Sequence, residues 1–539
     1  MKLTKEVALN IQDILTKDLT SGLDSRDRRL VKYQLVDACI EKESAKHREA
    51  TEGKAANQAG DKSKTRDLEI PVCFIQHDTA LANMTATFLG GEPIFAATAS
   101  RQHEDAASML TSLSQRDQHR FRWRGQLIQT LDDVLRYNLC GALVRWSSKP
   151  TTNVQTKIIQ GEVSTGTATA VTYEGNEIKR LDPYNLILDP SVPPHEVYEH
   201  GMYAGYAEAM NRMVFERFAA SLDGKFTYRN GLKQARESVP SWRFYKERTF
   251  YGNTQPKDPD DFTGFFGSNR QGHRPAVISA AFEVVHLYVR IIPSDYRIDV
   301  PNPNSVQVFY LIWANNQIIY IEPYTTGLEY LPIIVGCRYY GGPNKKSFVE
   351  YLTDLQDVAT SMTHGSMNAI RRAVADRALY DPTRISKAAI ESPNPIEKIA
   401  VNANAFGQNL EGAYHQIPFQ DTVSPLYTQM LGFTFSMADQ TTGQNQSSQG
   451  QFIKGNKTLF EFDTIMTNAD GRTQLGKIVF NETFMAPIQE LLKINYLIHA
   501  QNESINNGTD SEVVEVDPQL LREVAPNFLM ADGILPTTK

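Results

Sequence analysis

Residues 424–440, SPLYTQMLGFTFSMADQ, and 458–499, TLFEFDTIMTNADGRTQLGKIVFNETFMAPIQELLKINYLIH, both carry apolar residues at helical spacing. In the first these are Leu426, Met430, Phe433 and Met437; in the second, Leu459, Phe462, Ile465, Met466, Leu475, Ile478 and Val479. Between them lies 441–457, TTGQNQSSQGQFIKGNK, poor in acids and rich in Gln, Ser, Asn and Gly. A loop of this length without its own secondary structure is uncommon inside a compact domain. Its residues Gln444, Asn445, Gln446, Ser447, Ser448, Gln449, Lys454 and Lys457 offer amides, hydroxyls and two ammonium groups. Two readings stand: a weak contact with a polyanion that carries no sequence readout, or a plain solvated connection.

Working outward, 539 residues could hold about three or four domains by length. Hydrophobic residues make up 41% and charged ones 22%, a globular composition. A net charge of -7 argues against a protein that grips nucleic acid over a broad basic face, while a wall that repels phosphate stays possible. Cys39, Cys73, Cys140 and Cys337 form no CxxC pair, so reduced buried thiols are expected rather than a disulfide framework or zinc ribbon. The charged N-terminus does not read as a signal peptide, and no apolar run approaches the length of a membrane span. A cytoplasmic chain without membrane contact is expected.

Helical spacing covers residues 1–50, with a polar loop TEGKAANQAGDKSKTRD (51–67) after it. Further helices are expected around Ile75, Leu81 and Phe88, ending at Gly90 and Gly91, and from about Glu104 to Leu139. From Ala142 to Asp189 the pattern turns to strands: ALVRW, VQTKIIQGEVSTGTATAVTY, EIKRL and NLILD, with Asp-Pro turns at 182–183 and 189–190. Helices follow at about Glu208–Leu222 and Leu232–Ser238, then a loop at Phe250–Pro275. Residues 282–338 read as β, with a hairpin turn at Asn315-Asn316. One long helix over 344–380 comes next, ended by Pro382. Phe348, Leu352, Leu355, Ala359, Met362, Ser366, Ala369 and Ala373 form a narrow seam along it, of the kind that packs helix against helix.

Candidate chemistry is sparse. HEVYEH (195–200) is like a zinc-protease helix motif, but His195 and His200 are five residues apart, roughly 140° around a helix, so they cannot share a face. GGPNKKS (341–347) has Lys345 where a phosphate loop needs glycine. The aromatic strands with Tyr288, Tyr296, Phe309, Tyr310, Trp313, Tyr320 and Tyr324 could stack bases, but with Arg290 and Arg297 nearly alone a core or protein-contact role is favoured. No nucleophile elbow, kinase signature or paired carboxylate motif appears, and neither cofactor nor metal is expected.

The helix, the QTTGQNQ turn (440–446), the polar loop and the following helix with Ala486 and Pro487 resemble the C-terminal half of bacteriophage portal proteins, the head-to-tail connectors of short-tailed phages. RLDPYNLILDPS (180–191) resembles a strand-and-turn segment of the portal wing. The resemblance implies an α+β, largely helical, multi-domain subunit of a ring. It would have N-terminal helices and wing at 1–283, an α/β clip at 284–340 and a stem helix at 341–382. A wing return, long helix and tunnel loop would follow at 383–457, and a crown at 458–539. It further implies a dodecamer at one capsid vertex, without catalysis. The resemblance also implies that double-stranded DNA passes through the channel without sequence readout, that terminase motor, tail adaptor proteins and capsid protein are its partners, and that the ring resides in the virion. The family usually has a second stem helix before the clip, and residues 250–275 do not read as one. The competing classes are another structural virion protein, capsid or internal ejection, and a nuclease or packaging ATPase.

Overall fold

The computed structural model describes residues 5–41, 69–246, 282–374, 378–385, 402–403, 412–416, 424–443, 474–506, 513–521 and 535–538, apart from 100, 160–161, 239, 299, 301 and 325–329. The architecture is α+β. Helix α1 (Lys5–Ile40) runs for 36 residues and serves two cores. Its first half lays Ile11, Leu15, Leu19 and Leu23 on a β-sheet, and its second half packs Tyr33 and Val36 among helices. Helix α2 (Val72–Leu89) ends at Gly90, as the sequence predicts.

The helix expected over 104–139 is two helices, α3 (Glu104–Phe121) and α4 (Trp123–Tyr137). Arg122 between them adopts a left-handed conformation at φ 53°, and its N–H caps the Gln118 carbonyl. The break gains the burial of Trp123, whose indole N–H donates to the Asn176 carbonyl at 3.1 Å. The strands after it are also fewer and longer than the sequence pattern suggests. β2 (Cys140–Ile159) and β3 (Glu162–Leu181) form one antiparallel ribbon, with a bulge between Thr152 and Val154. Pro150 pairs opposite Thr172 in it, tolerable because β2 meets its other neighbour strand only over Cys140–Leu143.

A five-stranded antiparallel sheet follows, in the order β4 (Leu186–Leu188), β5 (Tyr203–Met210), β6 (Phe282–Ile291), β7 (Gln307–Ala314), β8 (Gln317–Pro323). Glu208 belongs to β5 rather than to a helix; α5 (Arg212–Ser221) starts after Asn211, whose side chain accepts the Val214 N–H at 2.8 Å. Period-two alternation sorts the sheet's faces. Val285, Leu287, Val289, Phe309 and Leu311 meet α1, while Val284, Ile312 and Ala314 meet α5 and α6 (Arg229–Glu237). The hairpin turn at Asn315-Asn316 forms with φ 47° and 65°, as predicted. Because β4 and β5 pair in register with β6, the sheet runs across the expected boundary at 283/284. β9 (Ile333–Gly336) leaves this sheet and pairs with β2, tying residues 333–336 back to the helical core.

Helix α7 (Glu350–Val374) is shorter than the expected 344–380. A capping box starts it: the Ser347 hydroxyl accepts the Glu350 N–H at 3.0 Å and the Glu350 carboxylate accepts the Ser347 N–H at 2.6 Å. Pro382 does not end it, since a short strand, β10 (Ala378–Tyr380), already intervenes and pairs with β11 (Tyr414–Gln416). Helix α8 (Ser424–Thr442) packs beside α7. Residues 474–480 are helical and lead through a π-turn at Asn481–Met485 into α9 (Ala486–His499). Ala486 and Pro487 therefore sit mid-helix, and Pro487, which has no N–H to give, falls in the first turn after the wider turn. Short strands close the C-terminal part: β12 (Glu503–Asn506) with β13 (Val513–Val516), and β14 (Leu535–Thr538) with β1 (Phe95–Thr98).

Candidate functional site

Residues 444–473, including Gln444, Asn445, Gln446, Ser447, Ser448, Gln449, Lys454 and Lys457, lie outside the described residues, but both anchors of that segment are defined. At its start α8 stops at Gly443, whose φ of 73° suits glycine and whose N–H donates to the Asp439 carbonyl at 2.9 Å. The last turn is tied to α2: Gln76 Nε2 donates to Asp439 Oδ1 at 2.7 Å, and the Thr442 hydroxyl donates to Gln76 Oε1 at 2.9 Å. At its return, Lys477 Nζ donates to the Thr87 hydroxyl at 2.9 Å, and Phe480 meets Phe88 edge-on with centroids 5.2 Å apart. Both ends thus dock on one helix, at Gln76 and at Thr87, roughly 16 Å apart at 1.5 Å per residue. Nothing in the sequence marks Gln76 for this, since a lone buried amide has no periodic signature.

The seam of α7 divides. Phe348, Leu352 and Ala359 are buried in the subunit's own core, and Ala369 is nearly so. Leu355 and Met362 are half-buried, and the side chain of Ala373 is outside the described residues. The buried edge of the seam is used within the chain, packing against the subunit's own helices. Gln356, fully buried, locks that edge in place. Its Nε2 donates to the Cys39 carbonyl at 2.8 Å and to Glu69 Oε1 at 2.9 Å, and its Oε1 accepts the Cys73 N–H at 2.9 Å. Where Gly365 passes α8, an added Cβ would come within 2.9 Å of the Tyr427 ring.

The other sequence candidates fall apart spatially or become core. His195 lies on a 3-10 turn and His200 ends a one-turn helix; their nearest acids are their chain neighbours Glu196 at 3.4 Å and Glu199 at 4.0 Å. No group of three metal-ligating side chains occurs among the described residues. Residues 342–344 form a 3-10 turn, and the helix N-terminus after them is already satisfied by its own Ser347 and Glu350. Tyr288, Tyr296, Phe309, Trp313 and Tyr320 are buried, so the aromatic strands are a packed core and not an open stacking platform.

Among the described residues, two polar clusters bury a histidine beside a carboxylate. In the sheet, His286 is stacked on Tyr206 with centroids 4.7 Å apart, and its Nδ1 lies 2.6 Å from the Tyr310 hydroxyl. Burial pushes this imidazole down to about 3, against the pull of Glu208, whose carboxylate is 3.8 Å from Nε2. Glu208 itself would be pushed up by burial, but Lys179 and His286 hold it below the usual carboxylate range. A cleft of about 360 Å³ between α1, α2 and α4 is lined by Phe74, His77, Asp78, Asp132 and Arg136. There His77 lies 3.0 Å and Arg136 2.9 Å from Asp132, and together they outweigh the burial that would otherwise raise its carboxyl, leaving it well below the usual range. The His77–Asp132 contact ties α2 to α4 and the Lys179–Glu208 pair ties β3 to β5; neither cluster presents a nucleophile beside a base.

Residues 296–525 match the model of the phage SU10 portal protein family, a span that begins before β7 and covers α7, α8, the segment 444–473 and α9. No curated protein matches the chain. No helix among the described residues is long and apolar enough to cross a membrane.

Proposed function

From a chain that is a phage portal protein by its match over 296–525, we propose that copies of it form the ring-shaped channel at one capsid vertex, through which the genome is packaged and ejected. The family implies a ring oligomer with capsid and packaging partners. The finer reading is a dodecamer that receives double-stranded DNA from a separate terminase motor, contacts capsid protein, and docks tail adaptor proteins through 284–340. It acts as a structural virion component made in the host cytoplasm, and the chemistry is left to the motor.

One observation carries the channel reading. The segment 444–473, polar as far as Lys457, is anchored at both ends on a single helix, α2. Repeated around an axis, such a unit needs only weak contacts, because multiplicity supplies avidity. Its amides and hydroxyls with Lys454 and Lys457 touch phosphate without holding it, which suits DNA in transit; each further cation would strengthen and slow the contact. The test is to shorten Gly443–Gly455. Rings should still assemble while DNA packaging, or retention in the filled head, is impaired. Normal packaging and retention by the shortened protein would sink the channel assignment. Another structural virion protein, capsid or internal ejection, remains the alternative, and a negative-stain image without a central channel would favour it.

A further inference from the structure

Helix α8 is turned largely outward, yet its 19 residues, SPLYTQMLGFTFSMADQTT, hold one charged side chain, Asp439, and that one is bonded to Gln76. Leu426 is 54% exposed, Met430 42%, Phe433 64% and Met437 37%. They recur at intervals of four, three and four residues, so they lie in one stripe. The remaining outward positions are Pro425, Thr428, Gln429, Gly432, Phe435, Ser436, Gln440 and Thr441, all uncharged. Solvated helix faces carry charges; an apolar stripe on the order of 400 Å² is as large as the largest bare patch on a typical monomer, which is often functional.

The stripe's chemistry narrows the occupant. DNA would require cations or a dense row of donors, and the stripe has neither. A membrane surface would call for Lys or Arg on the flanking face, and α8 has none. What fits is another apolar helix edge, and the chain itself carries one. On α7 the outward positions Tyr351 and Val358 are 46% and 43% exposed, with half-buried Leu355 and Met362 between and beyond them, again at intervals of four, three and four. The two helices already use their inner faces on each other, through Ala359, Gly365, Tyr427 and Ala438. Each therefore keeps one outward stripe of the same length and repeat. Two different faces on one chain that fit each other make a head-to-tail contact, the kind that closes into a ring when the rotation permits.

We propose that the outward stripe of α8, Leu426, Met430, Phe433 and Met437, seats on the Tyr351–Met362 edge of α7 in a second copy of this chain, forming the subunit contact of the ring. This rests on the ring assembly proposed above and adds the surface that makes it.

The test uses the full chain and two variants. Met430→Asp with Phe433→Asp should keep the parent's circular dichroism and melting temperature, because both positions are outward in the subunit, but should sediment as single chains. Phe433→Cys with Val358→Cys, oxidised, should give a ladder of covalently linked multimers that neither single substitution gives; the four native cysteines are buried. If the parent forms rings and the aspartate variant forms them equally, or no ladder appears, the contact is elsewhere while the ring reading survives. An unfolded aspartate variant places the stripe in the core of the subunit and also overturns the proposal. A parent that never assembles removes the ring reading and this contact with it.

Discussion

Acidification should destabilise the folded subunit through His286 in a way that one substitution can isolate. The imidazole is buried, stacked between Tyr206 and Tyr310 and edged by Phe218, with Glu208, Lys179 and Arg145 as the charged groups that act on it. Burial lowers it to about 3 in the fold, whereas an unfolded chain returns it to roughly 6.5. The folded form therefore stays neutral over a range where the unfolded form takes up a proton. Its contribution is complete above about pH 6.5 and is lost progressively as pH falls toward 3. With one proton at stake the slope approaches about 1.4 kcal/mol per pH unit, so moving from pH 7 to 4.5 should cost roughly 3 kcal/mol. Denaturant titrations of the parent and His286→Gln at those two pH values, at fixed protein concentration, measure it. The parent should lose about 3 kcal/mol more than the variant; equal losses would show that the buried ring is not what senses the acid.

Two further outcomes follow from single buried contacts. Gln356→Ala removes three hydrogen bonds that tie α7 to the end of α1 and the start of α2. At about 1 kcal/mol each it should cost about 3 kcal/mol in a chemical unfolding curve, and an unchanged midpoint would refute the lock. Gly175→Ala puts a Cβ 2.6 Å from the Asp117 carboxylate, which accepts the Asn176 N–H at 2.8 Å and the Tyr496 hydroxyl at 2.9 Å. A loss of roughly 1–3 kcal/mol is expected from the forced displacement, read as a lowered melting temperature.

Periodicity made the helices and sheet strands legible, because 3.6 and 2 are properties of local geometry. It did not reveal what each face meets. The four-three-four spacing of Leu426, Met430, Phe433 and Met437 reads as a buried face, yet those residues point outward in the subunit. The seam of α7 was legible as a seam, but Leu352 and Leu355 differ in burial because they lie on opposite edges of it. The break at Arg122 was hidden for another reason. No glycine or proline marks it, and the gain that offsets the left-handed residue, the burial of Trp123, is a tertiary one. The anchors of 444–473 were equally invisible, since Gln76 and Thr442 meet only across 366 residues of chain.

The Glu283 carboxylate, which accepts the N–H groups of Phe244 and Tyr245 at 2.6 and 2.7 Å, has a consequence for how the chain could be rewired. It brings the two ends of 247–281 to within a few residues of each other on the sheet, so the path between them closes on itself topologically. Closure entropy grows only as the logarithm of length, and replacing the segment with a five-residue turn would recover about 2 kcal/mol. This is a site where evolution, or an engineer, can add or remove an entire element without re-registering β5 against β6, and where new termini could be opened in a permuted subunit.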